Sequence, residues 1–205
     1  MRSEASTTFV QEEQQVDRSV SRLVGIAKCL PAGDDMKAEQ RVGLFVDVQN
    51  FYYTARNVYN ARVNFTNILK DAVGDRPLVR AIAYGIKADM PEEGTFFEAL
   101  KKAGFEVKLK ELQSFYGGAK KGDWDVGIVM DIIKLMPKLD VVVLASGDGD
   151  YIPLLEYLQV SGVRVELVSF GKSTSSKMRE LVDYYLDLDT DPRKYLMPIR
   201  NNRRK

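Results

Sequence analysis

Short apolar runs alternate along this chain with stretches whose apolar residues recur at helical spacing. Five runs have the length and composition of strands: residues 41–48, 78–86, 105–112, Val141–Ala145 and 163–170. Between and after them lie segments with a helical period: residues 51–74 in two pieces, 91–104, 123–136, 151–159 and 173–185. A short extended piece is predicted after the last of these. Strands separated by helices of this length indicate right-handed crossover connections. The pattern therefore predicts an α/β fold, a three-layer sandwich with a mainly parallel central sheet and helices on both faces.

The same pattern divides the chain into three parts. Residues 1–40 contain no strand signal, but five apolar residues fall on one helical face: Val16, Val20, Leu23, Val24 and Ala27. We expect an N-terminal extension that is partly disordered, or a helix that packs on the domain or on a second copy as a homodimer contact. The α/β domain then covers residues 41–190. Residues 191–205 carry six basic side chains and one acidic one, which predicts a basic C-terminal tail, suited either to phosphate contacts or to solubility.

Acidic residues stand where two of the predicted strands end. Asp47 comes at the end of the first strand with Asn50 shortly after it, and Asp148 and Asp150 follow the fourth strand in the segment SGDGDY. In a parallel sheet the site lies beyond the carboxyl ends of the strands, where the strand order reverses. If the first and fourth strands are neighbours, we expect Asp47, Asp148 and Asp150 to converge.

The closeness of Asp148 and Asp150 requires an explanation, because like charges repel. Two carboxylates about 5 Å apart repel by roughly 3 kcal/mol at an effective dielectric constant near 20. A cation bound between them would offset this repulsion. The alternative is that one of the two caps the following helix, which is a common role for aspartate but accounts for only one member of the pair.

A further site carboxylate is expected from the segment KKGDWDVGIVMD, at the start of a predicted helix. Its candidates are Asp123, Asp125 and Asp131. Asp123 has the position of the helix cap, and Asp125 that of a residue turned toward the strand ends. Asp131 lies on an apolar stretch and is either another ligand or a buried residue paired with a lysine or with the backbone. We favour Asp125 over Asp131.

Composition limits the chemistry that these residues support. The chain has 205 residues, no histidine and a single cysteine. Histidine-dependent nucleophiles and cysteine/histidine zinc sites are therefore excluded. Clustered aspartates are oxygen ligands suited to Mg²⁺ or Mn²⁺, which proteins use to activate water and to stabilise the leaving oxygen in phosphodiester hydrolysis. The lone cysteine, the lack of a signal-peptide core and the lack of a membrane-length apolar run predict a cytoplasmic protein without a membrane partner.

Three segments resemble the NYN domain, a PIN-like nuclease fold, of the LabA-like bacterial group: GLFVDVQNF, KKGDWDVGIVMD and VVLASGDGDYIPLL. The resemblance covers residues 41–188 in the family's order, and VDVQN and SGDGDY are its most specific parts. It implies a ribonuclease in which Asp47, Asp125, Asp148 and Asp150 form the acidic metal site and Asn50 orients substrate or water. The family pattern usually reads KGVDV where this chain has KGDWDV, one residue longer, and this difference bears on the choice between Asp123 and Asp125.

Basic, aromatic and hydroxyl side chains near these carboxylates are candidates for substrate contacts. Lys120, Lys121 and Lys172 are placed to contact phosphates. Ser175 matches a serine in the closing block of the family and is the candidate for a phosphate contact, unless residues 173–176 only cap a helix. Tyr52 is the candidate for stacking on an unpaired base, together with Phe51, Tyr53 and Tyr116, although packing explains at least two of these aromatic residues. An acidic site with aromatic neighbours favours single-stranded nucleic acid over duplex, and RNA is the partner that the family resemblance implies.

Two other functions remain open from the sequence. The first is a catalytically idle PIN-like module that binds RNA or a protein. The second is a phosphotransfer domain with Asp47 as nucleophile, since other sheets of this type also end their first strand in aspartate. Such enzymes need a second aspartate or a small hydroxyl directly after the first, whereas Val48 and Gln49 follow here.

Overall fold

The computed structural model describes residues 39–87, 91–111, 113–114, 120–121 and 123–199. The helices in these residues are Val48–Tyr59 (α1), Phe65–Val73 (α2), Pro91–Lys102 (α3), Asp125–Leu135 (α4), Ile152–Val160 (α5), Ser176–Leu181 (α6) and Pro192–Tyr195 (α7). The strands are Val42–Asp47 (β1), Ala61–Val63 (β2), Leu78–Lys87 (β3), Glu106–Glu111 (β4), Gln113–Ser114 (β5), Lys120–Lys121 (β6), Val141–Ala145 (β7), Arg164–Ser169 (β8), Tyr184–Asp187 (β9) and Leu196–Pro198 (β10).

The central sheet has six strands in the order β4-β3-β1-β7-β8-β9. Every neighbouring pair in it runs parallel. From β1 the chain continues to β3 and β4 on one side, and from β7 it continues to β8 and β9 on the other. The strand order therefore reverses between β1 and β7, which are the first and fourth strands predicted from the sequence. This arrangement places a crevice between their carboxyl ends.

Helices cover both faces of this sheet, because each central strand is apolar on both sides. On β1, Leu44 and Val46 belong to one buried cluster, which includes residues of α1, α2 and α3. Phe45 points to the opposite face, where it joins a second cluster with residues of α4, α5 and α6. The predicted α/β sandwich with a mainly parallel central sheet is thus confirmed.

The last predicted helix is shorter than expected, and a sixth strand follows it. The sequence pattern placed one helix over residues 173–185, whereas α6 ends at Leu181 and Val182 is extended. The next residues form β9, which pairs with β8 in register Leu167↔Tyr185. Aromatic residues such as Tyr184 and Tyr185 favour strands. The helical and strand patterns overlap at these residues, and pairing with the open edge of β8 selects the strand.

The predicted basic tail is in part a packed element. Residues 192–198 form α7 and β10, and β10 pairs antiparallel with β2. The Tyr195 side chain is buried, and its hydroxyl donates a hydrogen bond of 2.5 Å to Asp71 Oδ2. Residues 191–199 therefore belong structurally to the domain, and only residues 200–205 remain as candidates for a free basic arm; these lie outside the described residues.

Residues 1–38 of the N-terminal extension also lie outside the described residues, and with them the predicted helix and the homodimer contact suggested for it. Within the described ranges, none of the helices is long and apolar enough to cross a bilayer.

Candidate active site at the carboxyl ends of β1 and β7

Asp47 forms the centre of the candidate site. It ends β1 next to β7, where Val46 pairs with Ala145, and only 6% of the residue is exposed. One carboxylate oxygen accepts a hydrogen bond of 3.1 Å from the backbone N–H of Asn50 and so caps α1. The other oxygen lies 3.4 Å from Ser146 Oγ and 3.5 Å from the Tyr151 hydroxyl oxygen. The fold therefore fixes the orientation of this carboxylate.

The environment of Asp47 disfavours its charged form. The pKa of Asp47 is raised from 3.8 to about 6, mainly by burial and also by the nearby carboxylates of Asp125 and Asp148, while the hydrogen bonds from Asn50 and Ser146 act in the opposite direction. In the described part of the chain, no lysine or arginine forms an ion pair with Asp47. A buried carboxylate without a cationic partner is a feature of functional sites rather than of stable cores.

Tyr151 connects two of the candidate carboxylates. Its side chain is fully buried, and its hydroxyl donates a hydrogen bond of 3.0 Å to Asp125 Oδ1 while lying 3.5 Å from Asp47 Oδ2. Burial and the two carboxylates raise the pKa of Tyr151 well above its ordinary value, so the hydroxyl stays protonated at neutral pH. Tyr151 was not predicted as a site residue, because the sequence pattern shows it only as the start of a helix.

The two aspartates after β7 have different surroundings. Asp148 Oδ1 accepts a hydrogen bond of 3.0 Å from the backbone N–H of Asp150, which caps the 3₁₀ turn Gly149–Tyr151. The Asp148 backbone N–H in turn donates to Ser146 Oγ at 3.2 Å. Asp150 is exposed. One oxygen of Asp148 therefore acts as a cap, as the capping alternative predicts. Asp150 faces solvent beside the site.

Asp125 and Asp131 have different partners in the structure. Asp125 is the first residue of α4, and its carboxylate reaches Tyr151; burial is the main cause that raises its pKa. Asp131 instead accepts hydrogen bonds from Lys108 Nζ at 2.7 Å and from the Tyr84 hydroxyl at 2.9 Å. The alternative of a lysine-paired residue is therefore the one found for Asp131. The expectation that Asp123 caps the helix is wrong, because Trp124 is the N-cap residue and α4 has no side-chain cap.

Trp124 fixes the start of α4 against the sheet. Its indole N–H donates a hydrogen bond of 2.8 Å to the Gly85 carbonyl oxygen, and its ring centroid lies 5.3 Å from that of Tyr84. Lys110 Nζ lies 5.8 Å from the indole centroid and donates to the Asp123 carbonyl oxygen at 3.1 Å. The tryptophan belongs to the segment in which this chain is one residue longer than the family pattern. It therefore holds the neighbouring Asp125 in place by contacts outside the site.

Replacing Gly127 with alanine is expected to destabilise the protein, because the new Cβ would lie 2.5 Å from Trp124 Cε3. Overpacking of this kind costs about 1–3 kcal/mol and exceeds the gain of about 1 kcal/mol that alanine brings to a helix. Gly94→Ala is the matched control, since Gly94 lies in α3 and, among the described residues outside its own helix backbone, no heavy atom lies within 4 Å of a Cβ; it should stabilise the protein. Denaturant unfolding of both variants measures these changes, and equal stabilisation by both would show that Trp124 is not fixed there.

The remaining candidate residues differ in their contacts and in their exposure. Asn50 Oδ1 accepts a hydrogen bond of 3.0 Å from the Gly147 backbone N–H and so links α1 to the loop after β7. The Ser175 backbone N–H donates to the Gly147 carbonyl oxygen at 3.4 Å, and the Ser175 side chain forms no cap on α6. Lys172 is exposed, with its ammonium 5.1 Å from the Tyr59 ring centroid. Tyr52 is 45% exposed.

The structure does not describe the side chains of two residues that are predicted to contact phosphates. Lys120 and Lys121 form β6, which pairs with β5, but their side chains are outside the described part, and so is Tyr116. These assignments stay predictions.

The donors of this site fit a hard divalent cation by their chemistry. Carboxylates from the ends of two neighbouring strands and from α4 are the ligands that Mg²⁺ and Mn²⁺ prefer, and Mg²⁺ commonly binds through one or two carboxylates while keeping several waters. Among the described residues, no three acidic, histidine or cysteine side chains are grouped so that they could hold a metal ion as they stand. Direct coordination by more than two of the aspartates therefore requires side-chain movement.

The chain is similar in sequence to one known protein and in both sequence and fold to a solved structure. The chain is 27% identical over 158 residues to the low amplitude and bright protein LabA of Synechococcus elongatus, a match that covers 73% of this chain and 84% of LabA. A crystal structure of a protein of unknown function from Vibrio parahaemolyticus matches with a TM-score of 0.72 and 34% sequence identity, over 80% of this chain and 99% of that one.

A family match covers the α/β domain and includes every candidate carboxylate. The NYN domain matches residues 41–189, which span the sheet from β1 to β9. This range agrees with the resemblance carried by VDVQN at the end of β1 and by SGDGDY after β7. The chain therefore belongs to the NYN domain family, a branch of the PIN-like nuclease superfamily.

Proposed function

We propose that this protein is a Mg²⁺- or Mn²⁺-dependent ribonuclease that hydrolyses phosphodiester bonds of single-stranded RNA. The observation that carries the proposal is Asp47: a buried carboxylate beside Asp125 and Asp148, held by the fold at the carboxyl ends of the central strands, with no cationic side chain described against it. A protein retains such a costly arrangement when the carboxylates serve a function.

The metal ligands in this proposal are Asp47, Asp125, Asp148 and Asp150. A bound ion would supply an activated water and positive charge for the leaving oxygen. The chain's own residues orient the ligands: the Asn50 N–H holds one oxygen of Asp47, and the Tyr151 hydroxyl holds Asp125. The Asn50 side chain also fixes the loop after β7 through Gly147. That contact supports a positioning role for Asn50, alongside the substrate contact that the family resemblance implies.

Groups around the carboxylates would bind the substrate. Lys172 is an exposed cation in the turn after β8, and Ser175 lies close to the loop of Asp148 and Asp150, since a Cβ on Gly149 would be 3.9 Å from Ser175 Oγ. Both are suited to phosphate oxygens. Lys120 and Lys121 are proposed for the same role, and Tyr52 for contact with a base.

The two alternatives differ in what supports them. An Asp47 nucleophile would need an accessible oxygen, but Asp47 is 6% exposed and its oxygens face Asn50, Ser146 and Tyr151. A phosphoryl donor needs far more room beside the carboxylate than a metal ion does, so this burial argues against phosphotransfer. A catalytically idle RNA-binding module has the same acidic residues as the nuclease, so an activity assay separates the two.

The decisive test is cleavage of an unstructured, end-labelled oligoribonucleotide by the full chain. We expect cleavage with Mg²⁺ or Mn²⁺, none in chelator, and little on a DNA oligonucleotide of the same sequence. Binding without cleavage under all metal conditions would leave the idle module, and cleavage that persists in chelator would refute the metal site.

A further inference from the structure

Helix α1 exposes two adjacent aromatic side chains next to the candidate site. Tyr52 is 45% exposed and Tyr53 is 55% exposed, with ring centroids 5.5 Å apart and planes at 77°. The buried face of the same helix carries Phe51 and Ala55. An exposed helix face is normally polar, so two large aromatic rings side by side on it indicate a surface with a partner.

Both ends of α1 lie near the carboxyl ends of the strands. The helix begins directly after Asp47 at the end of β1. Its last residue, Tyr59, packs on Phe170 after β8 with ring centroids 5.0 Å apart, and the Tyr59 hydroxyl donates to Asp189 after β9. The exposed face of α1 therefore starts beside the carboxylates and leads away from them toward β8 and β9.

Cations accompany the aromatic rings on this face. Arg56 donates a hydrogen bond of 2.7 Å to the Tyr52 hydroxyl, and its guanidinium lies 5.9 Å from the Tyr52 ring centroid. At the far end of the helix, the Lys172 ammonium lies 5.1 Å from the Tyr59 ring centroid. Among the residues that the structure describes, neither cation forms an ion pair with a carboxylate. Both charges are thus available to an anionic partner.

We propose that Tyr52, Tyr53, Arg56 and Lys172, here named the α1 surface, bind the part of a single-stranded RNA that extends beyond the candidate active site. The inference deepens the proposed function and rests on it for the identity of the nucleic acid. Exposed rings stack on unpaired bases, whereas the bases of a duplex are already stacked and paired. Contacts away from the carboxylates are also needed because Asp47, Asp125, Asp148 and Asp150 repel phosphates until a cation is bound.

The test measures binding by fluorescence anisotropy in chelator, where cleavage cannot consume the probe. The probes are labelled oligouridylates of twelve and four nucleotides, together with a twelve-base-pair RNA duplex. Tyr53→Ala and Tyr52→Ala should each weaken binding of the twelve-nucleotide probe by about tenfold, and Tyr53→Ala should leave binding of the four-nucleotide probe nearly unchanged. Arg56→Gln and Lys172→Gln should each reduce the slope of log affinity against log salt by about 0.7.

Tyr157→Ala is the matched control, because Tyr157 is 46% exposed but lies on α5 at the other face of the sheet. It should change affinity less than twofold. The proposal is overturned if the three tyrosine variants behave alike or if the duplex binds as tightly as the single strand. It is also overturned if Tyr52→Ala and Tyr53→Ala alter only the sedimentation of the protein, because that result would assign the surface to self-association. Cleavage of the four-nucleotide probe with Mn²⁺ is scored separately, so loss of the nuclease hypothesis and loss of the α1 surface are distinct results.

Discussion

Asp47→Asn is expected to reduce Mg²⁺- or Mn²⁺-dependent RNA cleavage by roughly a thousandfold, since a metal ion contributes several kcal/mol of transition-state stabilisation that depends on its ligands. The substitution removes the charge but keeps the shape of the side chain. The amide oxygen of asparagine still accepts the hydrogen bond from the Asn50 N–H, and asparagine is as good a helix cap as aspartate. Cleavage kinetics and a thermal melt of the same preparation measure the effect. Asp148→Asn and Asp150→Asn should also lower the rate by orders of magnitude.

Asp140→Asn is the matched control for this series. Asp140 precedes β7 at its amino end, where it pairs with Arg41 at 2.9 Å, so it tests loss of one surface carboxylate remote from the site. Its rate should stay within about twofold of the parent, as expected for a surface substitution. A folded Asp47→Asn protein that cleaves at the parental rate would remove Asp47 from the metal site and with it the proposed mechanism.

The location of the site was predictable from the sequence because it depends on the topology of parallel sheets. The run Val141–Ala145 is buried on every residue, which the continuous apolar pattern indicates without any knowledge of neighbours. The strand order then places the ends of β1 and β7 side by side, whatever the details of the loops. The nearness of Asp47 to Ser146 and to the loop that contains Asp148 follows from this rule.

The parts that the sequence did not predict depend on partners far away in the chain. Asp131 pairs with Lys108, which lies 23 residues earlier, instead of joining the site carboxylates. No local sequence pattern shows this pairing. Tyr195 is held by Asp71, 124 residues away, so a segment that looks like a charged tail packs as part of the domain. In the same way, β9 begins at Tyr184, inside the predicted helix, because β8 offers an open edge, a property of the assembled sheet.

Asp47→Asn is also expected to stabilise the metal-free protein, and this result distinguishes a functional carboxylate from a structural one. Folding raises the pKa of Asp47 from 3.8 to about 6, so the folded state binds the proton more tightly than the unfolded chain does. As the pH rises from about 4 to 6, the free energy of unfolding therefore falls by roughly 3 kcal/mol, and the full cost remains at neutral pH. In chelator at pH 7.5, the variant should unfold with a free energy roughly 3 kcal/mol above the parent.

This gain should depend on both pH and metal. Near pH 4 the parent carries a proton on Asp47 and the gain should approach zero. Mn²⁺ at about a hundred times its dissociation constant should stabilise the parent by roughly 2.7 kcal/mol and the variant much less. Asp150→Asn is the control in chelator, because Asp150 is exposed, so water and salt screen its repulsion from Asp148. Surface substitutions change stability by only about 0.5 kcal/mol. If Asp47 were only the cap of α1, its replacement would not raise the free energy of unfolding at neutral pH, and Mn²⁺ would not affect the melting of either protein. That outcome would assign the buried carboxylate to helix capping rather than to a metal site.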